Sequence, residues 1–221
     1  MQDIDQISIG QLKMLNPHFA RVCLREIPPA TYDEWIERLY EDIDDIIKEH
    51  VTPNSSYRMD DPEDRFNVDM VGWLKERGYE ARHDEWTNGH SDICVTCPKW
   101  NTSYRWIGES KIHKDYDHLL EGFKQLTSRY SSGLTGESQG GVIIINRNKD
   151  LGNVMTTWKK RLEGQPDDIF TNLKISNCAQ NPFSFYSTHN HSRTSIEYKV
   201  RHIPASVYFK PIDKSAVNKK S

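Results

Sequence analysis

Residues 105–113 have the sequence RWIGESKIH, in which β-forming residues lead into a carboxylate and an amine two places apart. This pattern predicts a strand that enters a core. Side chains alternate between the two faces of a strand, so Glu109 and Lys111 point the same way and Ser110 points the opposite way. The pair is either a solvated ion pair on a surface hairpin or part of a reaction centre.

The segments around this strand predict an α/β fold. Runs of β-forming residues bounded by turn residues cover 79–86, 92–97 and 140–148. A helix is predicted over 62–78, between a proline and a glycine, and another over 114–133, where apolar residues recur at helical spacing. The order of helix, three strands, helix and strand predicts a central mixed β-sheet flanked by helices.

The regions outside this core carry weaker signals. Thr31, with Glu34 three places later, predicts the start of an amphipathic helix whose outer face is acidic. Towards the C-terminus, a short helix is predicted over 154–164, and the alternating residues of 183–211 indicate a hairpin or terminal strands. Both ends are therefore expected to add elements to the core.

Length and composition favour one soluble domain. The 221 residues can bury one sizeable core. No stretch approaches the roughly 18 apolar residues of a membrane span, and the N-terminus lacks the pattern of a secretory signal. Four cysteines are too few and too scattered for a disulfide framework, so a reducing cytoplasm is expected. The expected parts are an N-terminal helical extension, the core, and a C-terminal helix and strand extension of the same domain, at 1–58, 59–150 and 151–221.

Charge is unevenly distributed along the chain. Residues 1–80 contain 9 Lys and Arg against 18 Asp and Glu, whereas residues 141–221 contain 13 against 6. A basic C-terminal third could face phosphates, because Lys and Arg displace counterions there. It could equally be a solvated tail, because three of the lysines fall within DKSAVNKKS.

Asp92 in GHSD, followed after sixteen intervening residues by Glu109 and Lys111 in GESK, resembles the signature of the PD-(D/E)xK nuclease superfamily. The resemblance covers residues 60–148 and implies a restriction-endonuclease-like core. It implies hydrolysis of phosphodiester bonds, in DNA more than in RNA, with a role in defence such as restriction or antiviral action. Nucleic acid is the implied partner, and a homo-oligomer or a regulatory protein partner is also expected.

The chemistry of phosphodiester hydrolysis accounts for these residue types. A divalent cation neutralises the phosphate and lowers the pKa of the attacking water. Mg²⁺ prefers oxygen ligands, and one or two carboxylates with substrate oxygens suffice. The resemblance thus implies Asp92 and Glu109 as ligands of Mg²⁺, for which Mn²⁺ is expected to substitute. Lys111 would hold or deprotonate the water, helped by a lowered pKa.

The two core helices supply further candidates. Glu63 resembles an additional metal ligand of this superfamily, although Asp64 competes for that role and Glu63 could simply favour the helix N-terminus. Gln125 and Tyr130 resemble a Gln-x-x-x-Tyr motif of exonuclease-related members, but Tyr130 lies one residue too far along the chain. Because residues four apart share a face of an α-helix, Arg129 is expected to replace that tyrosine and bind phosphate beside Gln125.

Two histidines and two cysteines leave alternatives open. His90 and His113 flank the signature residues and are either nucleic-acid contacts or polar rim residues. Cys94 and Cys97 have the spacing of half a zinc site, but no second such pair completes it.

A second class of function is also compatible with the sequence. The chain could be a catalytically silent, nuclease-like scaffold that binds partners through its acidic N-terminal helix. The intact set of Asp, Glu and Lys argues against this alternative, because a buried, unused cluster of charges costs desolvation energy.

Overall fold

The computed structural model describes residues 7–16, 27–86, 89–97 and 104–213. Its α-helices are α1 Ile9–Leu15, α2 Tyr32–Ile46, α3 Ser55–Arg58, α4 Glu63–Glu76, α5 Tyr116–Lys124 and α6 Leu151–Glu163. Its strands are β1 Glu80–Trp86, β2 His90–Thr96, β3 Arg105–Ile112, β4 Gln139–Asn146, β5 Lys174–Asn177, β6 Phe185–Asn190 and β7 Glu197–Ser206. π-helical turns continue α2 over Ile47–Val51 and α5 over Gln125–Tyr130. Cys23 and the tail lysines at 214, 219 and 220 lie outside the described residues.

The strands form one sheet in the order β1-β2-β3-β4-β7-β6-β5. β3 pairs with β4, and β4 with β7, in parallel, whereas the other neighbours are antiparallel. Helices pack on both sides of this sheet. The predicted α/β fold with a central mixed sheet flanked by helices is therefore confirmed.

Each face of the sheet buries its own hydrophobic cluster. On the back face, side chains such as Trp106, Ile143 and Ile203 pack with α2 and α4. On the front face, side chains such as Ile107 and Val142 pack with α5 and α6. Consecutive residues of β3 and β4 enter opposite clusters, as the period of two in a strand requires. Glu109 and Lys111 follow Ile107 on the front face.

The helix boundaries follow the signals in the sequence. The Thr31 hydroxyl accepts a hydrogen bond from the Glu34 backbone N–H at 3.1 Å and so caps α2. α4 begins directly after Pro62, and the chain leaves it through Gly78, whose φ of +87° favours glycine. These predicted helices are confirmed.

The C-terminal segment completes the sheet. β6 and β7 form the predicted antiparallel pair. β7 also pairs with β4 along eight residues, which places it in the interior of the sheet. The segment 151–221, expected as an extension, therefore supplies a central strand of the core.

The β1–β2 hairpin separates from β3 before β3 ends. The pairing of β2 with β3 runs from Thr96 opposite Arg105 to Ile93 opposite Gly108, and β3 continues to Ile112. β1 and β2 stay paired beyond this point, up to Trp86 opposite His90. A gap therefore opens between β2 and the last residues of β3.

Within the described ranges, no helix has both the length and the apolar character needed to span a membrane.

Candidate active site

Two carboxylates occupy the gap between β2 and β3. Asp92 Oδ2 accepts a hydrogen bond from the Ser110 backbone N–H at 2.8 Å, and Glu63 Oε2 accepts one from the Ile112 backbone N–H at 2.8 Å. Buried backbone N–H groups need acceptors, and the departing strand no longer supplies them to this edge of β3. The two side chains thus replace the missing strand and are held in place by the backbone.

Lys111 brings the carboxylates together. Its Nζ lies 2.7 Å from Glu109 Oε1, 3.3 Å from Glu63 Oε1 and 3.9 Å from Asp92 Oδ2. The Asp92 and Glu109 oxygens are therefore at most 6.6 Å apart, the sum of their distances to Nζ. We call these four residues the carboxylate–lysine cluster. The structure favours Glu63 over Asp64, whose side chain is exposed.

The carboxylate–lysine cluster has an excess of negative charge when all its groups are ionised, because three carboxylates face one ammonium. Glu109 is 1% exposed, and its Oε2 has no hydrogen-bond partner among the described residues. Burial and the neighbouring charge of Asp92 raise the pKa of Glu109 to about 8. Burial also raises the pKa of Asp92. Burial is the main cause of both shifts, and for Glu109 the neighbouring charge of Asp92 adds to it.

Lys111 is an ammonium in this arrangement. Burial alone would lower its pKa, but the charges of Glu109, Asp92 and Glu63 outweigh burial and raise it. The lowered pKa was expected beside a bound metal ion and stays a prediction for that state, whereas the carboxylates alone shift the pKa of Lys111 upwards. As an ammonium, Lys111 can orient water and stabilise negative charge.

The donor set fits a divalent cation of the Mg²⁺ type. Asp92 and Glu109 offer hard oxygen ligands from neighbouring strands, and Glu109 Oε2 is buried without a partner among the described residues. The described residues contain no group of three or more His, Cys, Asp or Glu side chains arranged to hold a metal ion. Since Mg²⁺ needs only one or two protein carboxylates, the pair is sufficient.

Helix α5 forms the wall behind Lys111. A Cβ atom at Gly122 would lie 2.7 Å from Lys111 Cγ, so only glycine leaves room for the lysine stem. Sequence reasoning missed this residue. A glycine within the apolar periodic run LLEGFK is a signal of close approach that could have identified it.

The π-helical turn Gln125–Tyr130 changes which side chains face the site. The Ser131 backbone N–H donates to the Leu126 carbonyl at 3.1 Å, five residues back, so residues five apart come to the same side. Tyr130 is buried, and burial together with the charge of Glu109 raises its pKa. The π-helical geometry differs from the α-helical spacing on which the expectation for Arg129 depended, and a phosphate contact of Arg129 stays a prediction.

The other residues predicted to act at the site differ in how far they are exposed to solvent. Gln125 is half-buried at the start of the π-helical turn, and its side chain has no hydrogen-bond partner within the described ranges. Arg129 and His90 are exposed at the rim. His113 lies beyond the end of β3, where its Nδ1 is 2.8 Å from Asn148 Nδ2 and its ring packs against Tyr116. His113 is thus held by the fold, away from the carboxylates.

Cys94 and Cys97, which have the spacing of half a zinc site, do not come together. Cys94 pairs across the sheet with Ile107 of the front face, whereas Cys97 belongs to the back-face cluster. The two thiols therefore point away from each other and do not share one metal ion.

No known family model matches the chain, and no match is found among curated proteins or solved structures.

Proposed function

We propose that the protein is a metal-dependent nuclease that hydrolyses phosphodiester bonds, in DNA more than in RNA. The observation that carries the proposal is the carboxylate–lysine cluster, in which the buried Glu109 and the half-buried Asp92 and Glu63 meet around one ammonium. A divalent cation would compensate the negative charge of these carboxylates. The resemblance of GHSD and GESK to the PD-(D/E)xK signature supports the same reading.

Each member of the cluster has a distinct task in this proposal. Asp92 and Glu109 would hold Mg²⁺, or Mn²⁺ in its place, and the ion would supply charge neutralisation and acidify the attacking water. Lys111 stabilises the charge that develops on the phosphate and orients the water. Glu63 fixes the Lys111 ammonium at 3.3 Å and anchors the end of β3.

The biological role that we propose is based on the resemblance to the PD-(D/E)xK superfamily. A small cytoplasmic nuclease of this type fits a restriction or antiviral effector, controlled by self-assembly or by a regulatory protein. Its activity would then depend on that partner, so cleavage is best tested over a range of protein concentrations.

The test is a cleavage assay on linear, circular and single-stranded DNA and on RNA, with Mg²⁺ or with EDTA. We expect Mg²⁺-dependent cleavage that falls at least about 100-fold in Lys111→Ala, because one charge-stabilising donor contributes that much. Lys160→Ala, an exposed lysine of α6, is the matched control and should cleave normally. Cleavage that persists in Lys111→Ala or in EDTA would refute the proposal.

A groove on the back face favours the scaffold alternative as a second candidate. It has a volume of about 580 Å³ and lies between α2 and the β6–β7 part of the sheet, with the acidic Asp33 and Glu37 and the aromatic Tyr40 and Tyr186 in its lining. A basic partner segment fits this charge. Absence of cleavage on every substrate, together with no effect of Mn²⁺ on thermal stability, would favour this candidate over the nuclease.

A further inference from the structure

We propose that Trp86, His90 and Arg129 form a stacking surface that binds an unpaired base of single-stranded nucleic acid beside the carboxylate–lysine cluster. We call these three residues the stacking surface. The inference rests on the proposed function for the identity of its ligand.

Trp86 is exposed in a way that the other described tryptophans are not. It is 71% exposed, whereas Trp35, Trp106 and Trp158 are each at most 4% exposed and Trp73 is half-buried. Its ring contacts the His90 ring at a centroid distance of 5.0 Å and an angle of 78°, which leaves most of the indole uncovered. An indole left in water forgoes the stabilisation of burial, and its open ring face is free to stack on a base.

The strand register places Trp86 on the face of the candidate active site. His90 and Asp92 are two residues apart on β2, so their side chains share the front face. Trp86 lies directly opposite His90 across the hairpin and therefore points to that face as well. The indole and the imidazole therefore lie side by side near the hairpin tip, and the Asp92 carboxylate lies two residues further along β2 on the same face.

Arg129 adds a cation to this row. A Cβ atom at Gly89 would lie 2.9 Å from Arg129 Cδ and 2.9 Å from Tyr130 Cε1, so the hairpin tip packs on the end of the π-helical turn. Arg129 is itself exposed, and its guanidinium is 5.9 Å from the centre of the Tyr130 ring. A phosphate next to a stacked base would therefore meet a guanidinium.

The two acidic side chains nearest Trp86 in sequence have local partners. Asp84 Oδ1 lies 2.8 Å from His90 Nδ1, and Glu85 Oε1 lies 3.1 Å from Arg82 Nη1. The Arg82 guanidinium offsets the charge of Glu85 next to the stacking surface.

Stacking on an open aromatic ring selects single strands. In a duplex, both faces of each internal base are covered by its neighbours, so a protein ring reaches only bases in single strands, loops or frayed ends. The stacking surface therefore predicts a preference for substrates with unpaired bases next to the scissile phosphate.

The test measures binding in EDTA, where cleavage cannot occur, by fluorescence anisotropy of labelled oligo(dT), oligo(U) and a blunt duplex. Trp86→Ala should weaken binding of the single strands about tenfold, the effect of losing one stacked base, and leave duplex binding unchanged. Trp86→Phe should retain part of the affinity, because it keeps an aromatic face. Phe183→Ala, which removes another exposed aromatic residue (47% exposed), is the matched control. The DNA and RNA arms show which sugar the surface accepts.

The outcomes separate the two proposals. Equal affinity of wild type and Trp86→Ala for both single strands would overturn the stacking surface, whether or not the protein cleaves. A loss of duplex binding as large as the loss of single-strand binding would overturn it too. Single-strand binding through Trp86 without cleavage under any metal condition would support the stacking surface and refute the nuclease.

Discussion

Two groups of buried polar residues lie on the front face of the sheet, and they are built in opposite ways. One is the carboxylate–lysine cluster at the β2–β3 gap. The other is the histidine cluster of His189, His191 and His202, at the β6–β7 side. Helix α5 separates them, since Gly122 abuts Lys111 while Phe123 packs against His189 and His202. The same face of one sheet therefore offers a direct comparison.

The histidine cluster is neutral and largely hydrogen-bonded. His202 Nδ1 accepts from Trp158 Nε1 at 3.0 Å, which leaves the proton on Nε2, 2.8 Å from Ser187 Oγ. Burial lowers the pKa of His202 to about 3 and that of His189 to about 4. The carboxylate–lysine cluster instead keeps excess charge and an unpartnered oxygen. His189 Nδ1 is also without a partner among the described residues, so the two clusters differ in their charge rather than in complete hydrogen bonding.

Replacing one residue in each cluster should give the largest difference between an effect on stability and an effect on cleavage. His202→Ala leaves a cavity and orphans the Trp158 and Ser187 partners, so the free energy of unfolding should fall by about 2–4 kcal/mol. Cleavage per folded molecule should not change. Asp92→Asn keeps an acceptor for the Ser110 N–H and should abolish cleavage, with the free energy of unfolding within about 1 kcal/mol of wild type. Urea unfolding and cleavage rates measure both, and the reverse pattern would contradict the comparison.

Divalent cations should stabilise only the carboxylate–lysine cluster. At about 100 times its dissociation constant, Mg²⁺ or Mn²⁺ should raise the free energy of unfolding by about 2.7 kcal/mol. Asp92→Asn should lose this gain, because half of the carboxylate pair is gone, and His202→Gln should retain it. Thermal unfolding with and without the ion measures the effect. An equal gain in Asp92→Asn would show that the ion binds elsewhere.

The histidine cluster should lower the free energy of unfolding at acid pH, and the carboxylate–lysine cluster should lower it at alkaline pH. Folded His189 and His202 bind protons less tightly than the unfolded chain, so stability falls as pH drops below 6.5 towards their pKa values of about 4 and 3. Folded Glu109 binds its proton more tightly, so stability falls as pH rises from 4.5 through about 8. Each group changes the free energy of unfolding by at most about 1.4 kcal/mol per pH unit.

We therefore expect maximum stability near pH 6.5, where the histidines are neutral and Glu109 is still protonated. Urea unfolding from pH 4 to 9 tests this profile. Glu109→Gln should remove the alkaline decline, and His202→Gln should reduce the acid decline. A profile that neither variant changes would contradict the assignment.

The smallest effect on cleavage is expected from a substitution in α5, the helix between the two clusters. Gly122→Ala pushes the Lys111 stem aside and should slow cleavage about tenfold, since an error of about 1 Å in position has at least that effect. Gly72→Ala is the control, because a Cβ atom there meets nothing within 4 Å. Both changes should gain up to about 1 kcal/mol of helix propensity. Equal cleavage rates in the two variants would show that Lys111 tolerates the displacement.

Local patterns in the sequence were sufficient for the fold class and for the common orientation of Glu109 and Lys111, but not for the central position of β7. The alternation of β3 places Glu109 and Lys111 together, and Thr31, Pro62 and Gly78 mark helix ends through effects that act within a few residues. Strand alternation and helix-end residues depend only on neighbours in the chain, so they could be recognised from the sequence alone.

Features that depend on distant contacts could not be predicted in this way. Glu63 reaches the Ile112 N–H only because β2 leaves β3, an event that involves residues 49 positions apart. The neutral state of His202 depends on Trp158, 44 positions away. The raised pKa of Lys111 likewise reflects carboxylates from three different elements. In each case the deciding partner is brought in by tertiary structure.

The π-helical turn at the end of α5 has a consequence for how such chains diverge. A helix that widens by one residue tolerates an insertion without turning its last side chain away from the sheet. The interval between two cooperating residues is then free to drift between four and five while their geometry persists. A search for related chains should therefore allow an interval of either four or five residues at this turn.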